Sequence, residues 1–546
     1  MGETIARVSV SRVTQGDILI DEEQVRAEAD KITKSLYFQY IQAETKRLRE
    51  RMQDYDVGFA GAKTGLKRQF GAFDVFVMTC CTLIGVAIAV RSISIQVLVP
   101  GIQSFVPLAF LIAGIPAILV ALCYAIFASS IPRSGGDYVF ISRGFHPFLG
   151  FWASWTKWFG VTIALGFIAY TTAFLFSDSM ELLGVSSGYS PVWNTILTLV
   201  VLTICFLVNL TGARIIKWAT RLSFGVFIAG GLLTTIMGLI YRQSFFLQNV
   251  ESKLGGQVVS SILEAGRTIG SGNQFSLAVL LQAAAILFFA YWGLETAIAG
   301  SGEVKNPERA IPKGIVAAVI FTTVYYFLYS FSVYHLVPWQ FVAGYVGAHS
   351  DSSVLDLYAF VLPPHALLFV SLALAISVLS DIFPLMMSVS RIVFAWSFDS
   401  MAPRTFTKLN TRGVPSNALI LSYLVAFLSA IECNYTGYFR VLDLATLSML
   451  WTYILVSLSI LAVWFEKPLI LKKAMFNLRW FNIPVSVLAF AACLILFGEF
   501  VLGARDSFLL FVMWSAVGAS AYYWIQRKRL REKIDMQATF ALIPPE

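Results

Sequence analysis

Two acidic residues lie inside long apolar segments of the sequence, where a carboxyl group is energetically costly. Glu295 follows Gly293 in the apolar part of residues 284–314, and Asp381 lies in another apolar segment beside two serines. An ionisable side chain in a segment of membrane-spanning length is by default a functional hypothesis. Because a low-dielectric environment favours the neutral carboxyl, we expect either residue to bind and release a proton. For Glu295, a structural role as a hydrogen-bonded carboxyl is an equally good interpretation.

Asp381 has neighbours that could hold a metal cation as well as a proton. Pro384 lies three residues further on and leaves the carbonyl of Ser380 without its helical donor. This carbonyl, the hydroxyls of Ser377 and Ser380, and the carboxylate are oxygen ligands of the kind that hard cations prefer. We therefore predict H⁺ as the ion that these groups bind, with Na⁺ at Ser377, Ser380 and Asp381 as the alternative, and we expect no other cofactor or metal.

Glycines near the middle of two apolar segments suggest where helices are interrupted. Gly85 occupies such a position in the first segment and Gly293 in the sixth. Glycine lowers the cost of breaking a helix, and a break at membrane depth is tolerated only where it lines a cavity. Arg91 lies six residues beyond Gly85. It could extend to the membrane interface or act as a charge at an outer gate.

Other charged residues lie at the predicted ends of the apolar segments. We expect Lys157, near the start of its segment, to reach the inner membrane interface. We also expect a charged cluster on the inner side, formed by Lys305, Glu308 and Arg309, to close an inner gate together with Asp137.

The composition of the chain indicates a membrane protein. Hydrophobic residues make up 57% of the sequence and charged residues 13%, against about 25% charged in soluble proteins. Twelve apolar runs approach or exceed the roughly 20 residues that cross a bilayer. We place them at 75–99, 106–129, 148–176, 192–212, 222–241, 275–300, 312–337, 366–398, 416–432, 438–465, 482–503 and 506–526.

Basic residues flank these spans instead of forming one patch, so the net charge of +8 does not indicate nucleic-acid binding. Their concentration in alternate connections predicts that both termini are cytoplasmic. The connections 242–274 and 338–365 then cover the outer face. The six cysteines and four histidines show no metal-ligand spacing, and the sequence contains neither a nucleotide-binding P-loop nor a pair of catalytic residues. We therefore expect a protein that is not an enzyme.

We expect four parts in the chain. Residues 1–65 form a polar cytoplasmic arm with an amphipathic helical stretch at 21–53. Residues 66–466 form the main membrane core, residues 467–526 two further spans, and residues 527–546 a cytoplasmic tail.

Several motifs resemble the amino acid–polyamine–organocation transporter superfamily. They are Ile131-Pro-Arg-Ser-Gly-Gly-Asp-Tyr138, Gly293-Leu-Glu295, Glu303-Val-Lys-Asn-Pro307 and the segment Ser390–Asp399. The resemblance covers most of residues 70–530. It implies an all-α, leucine-transporter-like fold with twelve transmembrane helices, in which inverted repeats at about 70–242 and 275–466 precede two extra helices. It also implies a plasma-membrane transporter that works by alternating access.

In such a fold the substrate lies between the two interrupted helices, where half-helix ends and freed backbone groups bind charged groups. The resemblance places the substrate against Ile84, Gly85, Val86, Ala87 and Ile88 on one side. On the other side it places Phe289, Ala290, Tyr291, Trp292 and Gly293. Phe289 matches a substrate-covering aromatic residue, and the residues with coupling or gating roles are Glu295, Asp381, Ser377, Ser380 and Arg91.

The first interruption departs from the family pattern. Members often carry Gly-Ser-Gly-Ile, whereas this chain has Gly85-Val-Ala-Ile88 and lacks both the serine hydroxyl and the second glycine. We predict proton-coupled transport of an amino acid or related organic cation, with a small-molecule substrate and the lipid bilayer as partners and no nucleic acid. Two alternatives remain: sodium-coupled or exchange transport of another small solute or ion, and a transport-inactive membrane sensor.

Overall fold

The computed structural model describes residues 65–85, 87–184, 191–271, 274–349, 352–436, 439–472 and 474–531. The predicted arm and its amphipathic stretch at 21–53 lie outside the described residues, as does the tail beyond residue 531.

The described residues fold into α-helices joined by short turns. The helices are α1 Ala72–Leu83, α2 Ser92–Leu98, α3 Val106–Ser130, α4 Asp137–Gly144, α5 Pro147–Leu182, α6 Pro191–Leu210, α7 Ala213–Ile240, α8 Gln243–Leu254, α9 Gly256–Ser271, α10 Leu277–Leu287, α11 Thr296–Ala299, α12 Pro307–Leu336, α13 Trp339–Ala348, α14 Val354–Tyr358, α15 Pro364–Phe398, α16 Ser416–Thr436, α17 Phe439–Glu466, α18 Pro468–Lys472, α19 Asn482–Gly503 and α20 Arg505–Arg531. A π-helical turn, Ala87–Arg91, precedes α2, and a 3₁₀ turn, Phe288–Tyr291, follows α10.

Eleven helices of the described chain are long and apolar enough to cross a membrane. A further pair, Ala72–Leu83 and Ile88–Leu98, meets at a bend of 44° and makes a twelfth crossing if it forms one span. The central helices α5 and α17 are mostly buried in the protein, whereas α19 and α20 are mostly exposed. Their exposed large apolar side chains suit contact with lipid. The predicted all-helical, polytopic class is confirmed.

The predicted start of the fifth span was wrong, because α7 begins at Ala213 instead of residue 222. Basic residues in its first turns suggested a loop, but two of them bind one buried carboxylate. Arg221 Nε lies 2.6 Å and Lys217 Nζ 3.2 Å from the oxygens of Asp74 in α1. A membrane helix can therefore carry charged residues when they are paired. Counting each charge separately predicts that the helix starts too late.

Hydrogen bonds between distant segments bring several helix ends to one side of the bundle. The backbone at Phe70, before α1, pairs with that at Val304, after α11. Arg143 in α4 donates to both oxygens of Asp399 at 2.6 and 2.7 Å, and Lys467 donates to the carbonyl of Arg143 at 2.8 Å. We call this the basal side, and it is the side that the basic residues predict to be cytoplasmic.

Candidate functional site

The first membrane helix is interrupted where the sequence predicts. Helix α1 ends at Leu83, and the chain passes through Ile84 and Gly85 before the π-helical turn begins. The residue Val86 and the side chain of Ala87 lie outside the described structure.

A second interruption faces the first. After the 3₁₀ turn the chain leaves helical geometry at Trp292, and α11 begins at Thr296. Gly293 has φ +91°, a left-handed conformation that side chains other than glycine rarely adopt. A Cβ atom there would lie 3.3 Å from Thr82 Cβ. The Thr82 hydroxyl donates to the Gly293 carbonyl at 3.1 Å, so the two interruptions contact each other directly.

One tyrosine binds the backbone of both interruptions. The hydroxyl of Tyr326, in α12, contacts the carbonyl of Leu83 at the end of α1 and that of Ala290 at 3.0 Å. Its side chain is fully buried. It supplies a donor to carbonyls that the interruptions leave without helical partners.

A small cavity lies between the interruptions and helices α5, α15 and α17. Its volume of about 40 Å³ gives room for a few water-sized groups. Predicted residues in its lining are Gly85, Phe289, Ala290, Trp292 and Asp381. Sequence reasoning missed Thr82, Leu83, Ala164, Phe167, Ile168 and Leu442, which also line it. A threonine and five apolar residues within apolar spans carry no signal that separates a cavity wall from core packing.

Asp381 brings a carboxylate to this cavity. Its side chain is 7% exposed, and its Oδ1 has no hydrogen-bond partner among the described residues. A Cβ atom on Gly85 would lie 2.6 Å from Asp381 Oδ2, so any larger residue would displace the carboxylate. The indole Nε1 of Trp292 is also buried without an acceptor in the described chain. One acceptor and one donor therefore lack partners in the lining of the same cavity.

The serines near Asp381 contact backbone carbonyls. The Ser377 hydroxyl donates to the carbonyl of Ile84, and Ser380 donates to the carbonyl of Ser377 at 2.7 Å. Pro384 lies inside α15 as the sequence indicates. A sodium site formed by Ser377, Ser380 and Asp381 stays a prediction.

Several predicted substrate residues lie outside the cavity lining. Ile84 and Ile88 border a second small space beside Ser377. Tyr291 is buried and donates to the carbonyl of Phe110 at 3.0 Å, and Gly293 contributes backbone geometry.

Arg91 ends the π-helical turn. It is partly buried and interacts electrostatically with Asp443 in α17. It does not belong to the lining of the cavity either.

Glu295 belongs to a separate buried cluster of charges. Its Oε1 lies 2.9 Å from Lys157 Nζ, and Tyr453 donates to its Oε2 at 2.6 Å. The same lysine contacts Asp137, and the ring of Tyr124 packs edge-on against Tyr453. This cluster joins α4, α5, α17 and the start of α11.

The predicted place of Lys157 was therefore wrong: its side chain is 2% exposed and lies inside the protein between two carboxylates. The expected pairing of Asp137 with the inner cluster is also absent from the described structure. Lys305 and Arg309 are exposed, and Arg309 Nε contacts the sulfur of Met475.

A different ion pair holds the basal side. Arg391 in α15 is fully buried and donates to Glu303 Oε1 at 2.5 and 2.8 Å. Close by, the motif at 131–138 turns through Gly135, whose N–H donates to the Ala299 carbonyl at the end of α11. Ser134 accepts from the N–H of Gly302 at 3.1 Å. These contacts close the basal approach to the second interruption.

A helical membrane bundle with two interrupted helices around a small cavity is the architecture of a membrane transporter. The sequence matches the amino acid permease family model over residues 70–525. The chain belongs to this family: it is a multi-pass membrane permease and not an enzyme.

Individual relatives have low sequence identity to this chain, but the matched regions cover most of each relative. The chain is 25% identical over 478 residues to the methylthioribose transporter of Bacillus subtilis (strain 168), covering 85% of this chain and 94% of that protein. It is 23% identical over 498 residues to the branched-chain amino acid permease BcaP of the same organism, covering 87% and 97%. The amino-acid permease RocE, also from that organism, is 26% identical over 355 residues, covering 64% and 72%.

Proposed function

We propose that this permease is a proton-coupled secondary transporter that moves an amino acid or related organic cation across the plasma membrane by alternating access. The observation that carries the proposal is the small cavity between two interrupted helices, with a buried carboxylate in its lining. In this proposal both termini are cytoplasmic and the basal side faces the cytoplasm.

Alternating access is supported by the buried ion pairs on the basal approach to the second interruption. On the basal side, Arg391–Glu303 and Lys157–Glu295 are buried ion pairs between the segment that follows the interruption and helices α15 and α5. We infer that these pairs are made while the basal side is closed and separate when it opens.

Proton coupling is supported by the charge of the Lys157 cluster. Two carboxylates, Asp137 and Glu295, share one ammonium group, so the fully ionised cluster carries one net negative charge in a buried place. A buried net charge is costly, and one proton removes it. We assign the coupling proton to this cluster, in keeping with the prediction of a proton-linked role for Glu295.

Uptake into proteoliposomes tests the proposal. A panel of labelled amino acids and amines is offered with an inward proton gradient, with an inward Na⁺ gradient, and with neither. We expect uptake that follows the proton gradient and is abolished by a protonophore. Uptake driven by Na⁺ alone would contradict proton coupling. Failure of every labelled compound to exchange across the membrane would favour the transport-inactive sensor.

The relatives leave the substrate open. One is named for branched-chain amino acids and another for methylthioribose, and identities near 25% do not carry either substrate to this chain. The departure at Gly85–Ile88 keeps transport of a solute without an amino acid backbone as the second candidate.

A further inference from the structure

We propose that Asp381 binds the ammonium group of the transported molecule and that Trp292 donates a hydrogen bond to an acceptor on the same molecule. The substrate class is then a small primary amine with an apolar body, for which an α-carboxylate is not required. This inference rests on the proposed transport function and names the ligand of the same cavity.

Asp381 differs from the other buried carboxylates in having no basic partner among the described residues. The described chain buries six carboxylates, and five of them contact a Lys or Arg nitrogen: Asp74, Asp137, Glu295, Glu303 and Asp399. No ion pair of the described residues includes the sixth, Asp381. A buried charge without a partner is strongly unfavourable, so a cation from outside the chain would stabilise it.

The composition of the cavity fits such a cation. Asp381 is the one charged residue among the described residues of the lining, and the aromatic residues Phe167, Phe289 and Trp292 lie around it. The rings of Phe289 and Trp292 stack with centroids 6.5 Å apart. Aromatic faces attract an ammonium group when water is excluded. A second negative charge, such as a substrate carboxylate, would be repelled by Asp381, and the described lining offers it no basic side chain.

The indole of Trp292 adds a requirement for an acceptor. Its buried Nε1–H has no acceptor in the described chain, and an unmade buried hydrogen bond is costly. A hydroxyl, carbonyl or ether oxygen on the ligand would accept it. The small volume of the cavity, about 40 Å³, favours a compact ligand.

Four probes with the same isopropyl group separate the chemical requirements: isobutylamine, valinol, valine and isovalerate. They carry, respectively, an amine, an amine with a hydroxyl, a zwitterion, and a carboxylate alone. Each is titrated against the purified full-length protein by thermal stabilisation, in KCl and in NaCl. We expect isobutylamine and valinol to bind, valinol more tightly, and isovalerate not to bind.

Two substitutions assign the contacts. Asp381→Asn should weaken the binding of both amines at least about 30-fold. This is the lower end of the effect expected when one partner of a buried charge pair is truncated. Trp292→Phe keeps the ring and removes the N–H, so it should weaken valinol and leave isobutylamine unchanged. Asp178→Asn is the matched control, since this half-buried carboxylate of α5 lies outside the cavity lining. It should leave all four titrations unchanged.

The unfolding midpoint without ligand shows whether each variant is folded. Because Asp381 has no ion-pair partner in the described part of the chain, Asp381→Asn should leave the unliganded unfolding midpoint unchanged or raise it, so lost binding cannot be attributed to unfolding.

The inference is overturned if valine binds, isobutylamine does not, and Asp381→Asn binds valine as the unmodified protein does. It is also overturned if Asp381→Asn removes a stabilisation by Na⁺ without changing amine binding, because Asp381 would then be a sodium ligand. In either case substrate transport in liposomes persists and the proposed function stands. If no amine or amino acid is bound or transported, the proposed function itself fails.

Discussion

Replacing Lys157 by methionine should destabilise the protein through the two carboxylates that the lysine holds. The side chain is buried, its Nζ contacts Asp137, and it lies 2.9 Å from Glu295 Oε1. Methionine preserves the volume of the aliphatic chain and removes the ammonium group. The substitution therefore changes the net charge of the ionised cluster from −1 to −2 inside the protein.

Removing one partner of a buried ion pair lowers the free energy of unfolding by about 3–5 kcal/mol, and this sets the size of the expected effect. Two carboxylates around one empty position would cost more, but one of them can bind a proton and limit the repulsion. If the folded variant binds one proton more than the unfolded chain, its stability rises as pH falls. The slope is about 1.4 kcal/mol per pH unit.

The assay is thermal unfolding in detergent at pH 7.5 and 5.5. We expect Lys157→Met to unfold several degrees below the unmodified protein at pH 7.5 and to recover part of the loss at pH 5.5. Lys313→Met, at an exposed position of α12, is the matched control and should change stability by less than about 0.5 kcal/mol. Adding Glu295→Gln to Lys157→Met should restore stability, because it removes one of the stranded charges.

Equal unfolding midpoints for Lys157→Met and Lys313→Met would refute this reasoning. So would a loss in Lys157→Met that is independent of pH and is not reduced by Glu295→Gln. Either result would mean that the cluster is not a network of ionised groups.

Three further substitutions test contacts of the site and the basal side. Gly85→Ala places a methyl group against Asp381, so it should lower transport and reduce the free energy of unfolding by about 1–3 kcal/mol through overpacking. Full uptake with an unchanged unfolding midpoint would contradict the close contact. Tyr326→Phe removes the hydroxyl that both interruptions share and should cost about 1–3 kcal/mol, measured by thermal unfolding; no change would mean that the carbonyls find other donors. Arg391→Met strands the buried Glu303 carboxylate and should cost about 3–5 kcal/mol, and Arg391→Met with Glu303→Gln should recover part of it; a double variant no more stable than the single one would argue against the ion pair.

The membrane helices could be predicted from the sequence because the apolar runs are long and the glycines that interrupt two of them stand out. The same reasoning found Asp381, since an isolated carboxylate in an apolar run is conspicuous. The start of α7 could not be found in this way. Hydropathy counts Lys217 and Arg221 as isolated charges, whereas the fold pairs them with an acid 147 positions before Arg221.

The position of Lys157 was missed for a related reason. A lysine near the end of an apolar run commonly extends to the membrane interface, and nothing local distinguishes a lysine that does not. Its partners lie 20 residues before it and 138 residues after it. Only the tertiary arrangement of α4, α5 and α11 brings one ammonium group and two carboxylates together. Cavity residues such as Phe167 are missed because the sequence pattern of an apolar residue is the same whether its side chain lines a cavity or packs in the core.

The hydroxyl of Tyr326 has a consequence for the tightness of coupling in the proposed cycle. It contacts the last turn of α1 and the 3₁₀ turn after α10 at once, and Thr82 joins the same two segments. A displacement of one interruption therefore pulls on the other through a shared, buried donor. Because the two segments move together, one of them does not open while the other stays behind, and no continuous pore forms across the membrane. The pairing thus works against leakage of ions, and a variant that lacks it should dissipate a proton gradient faster at equal substrate flux.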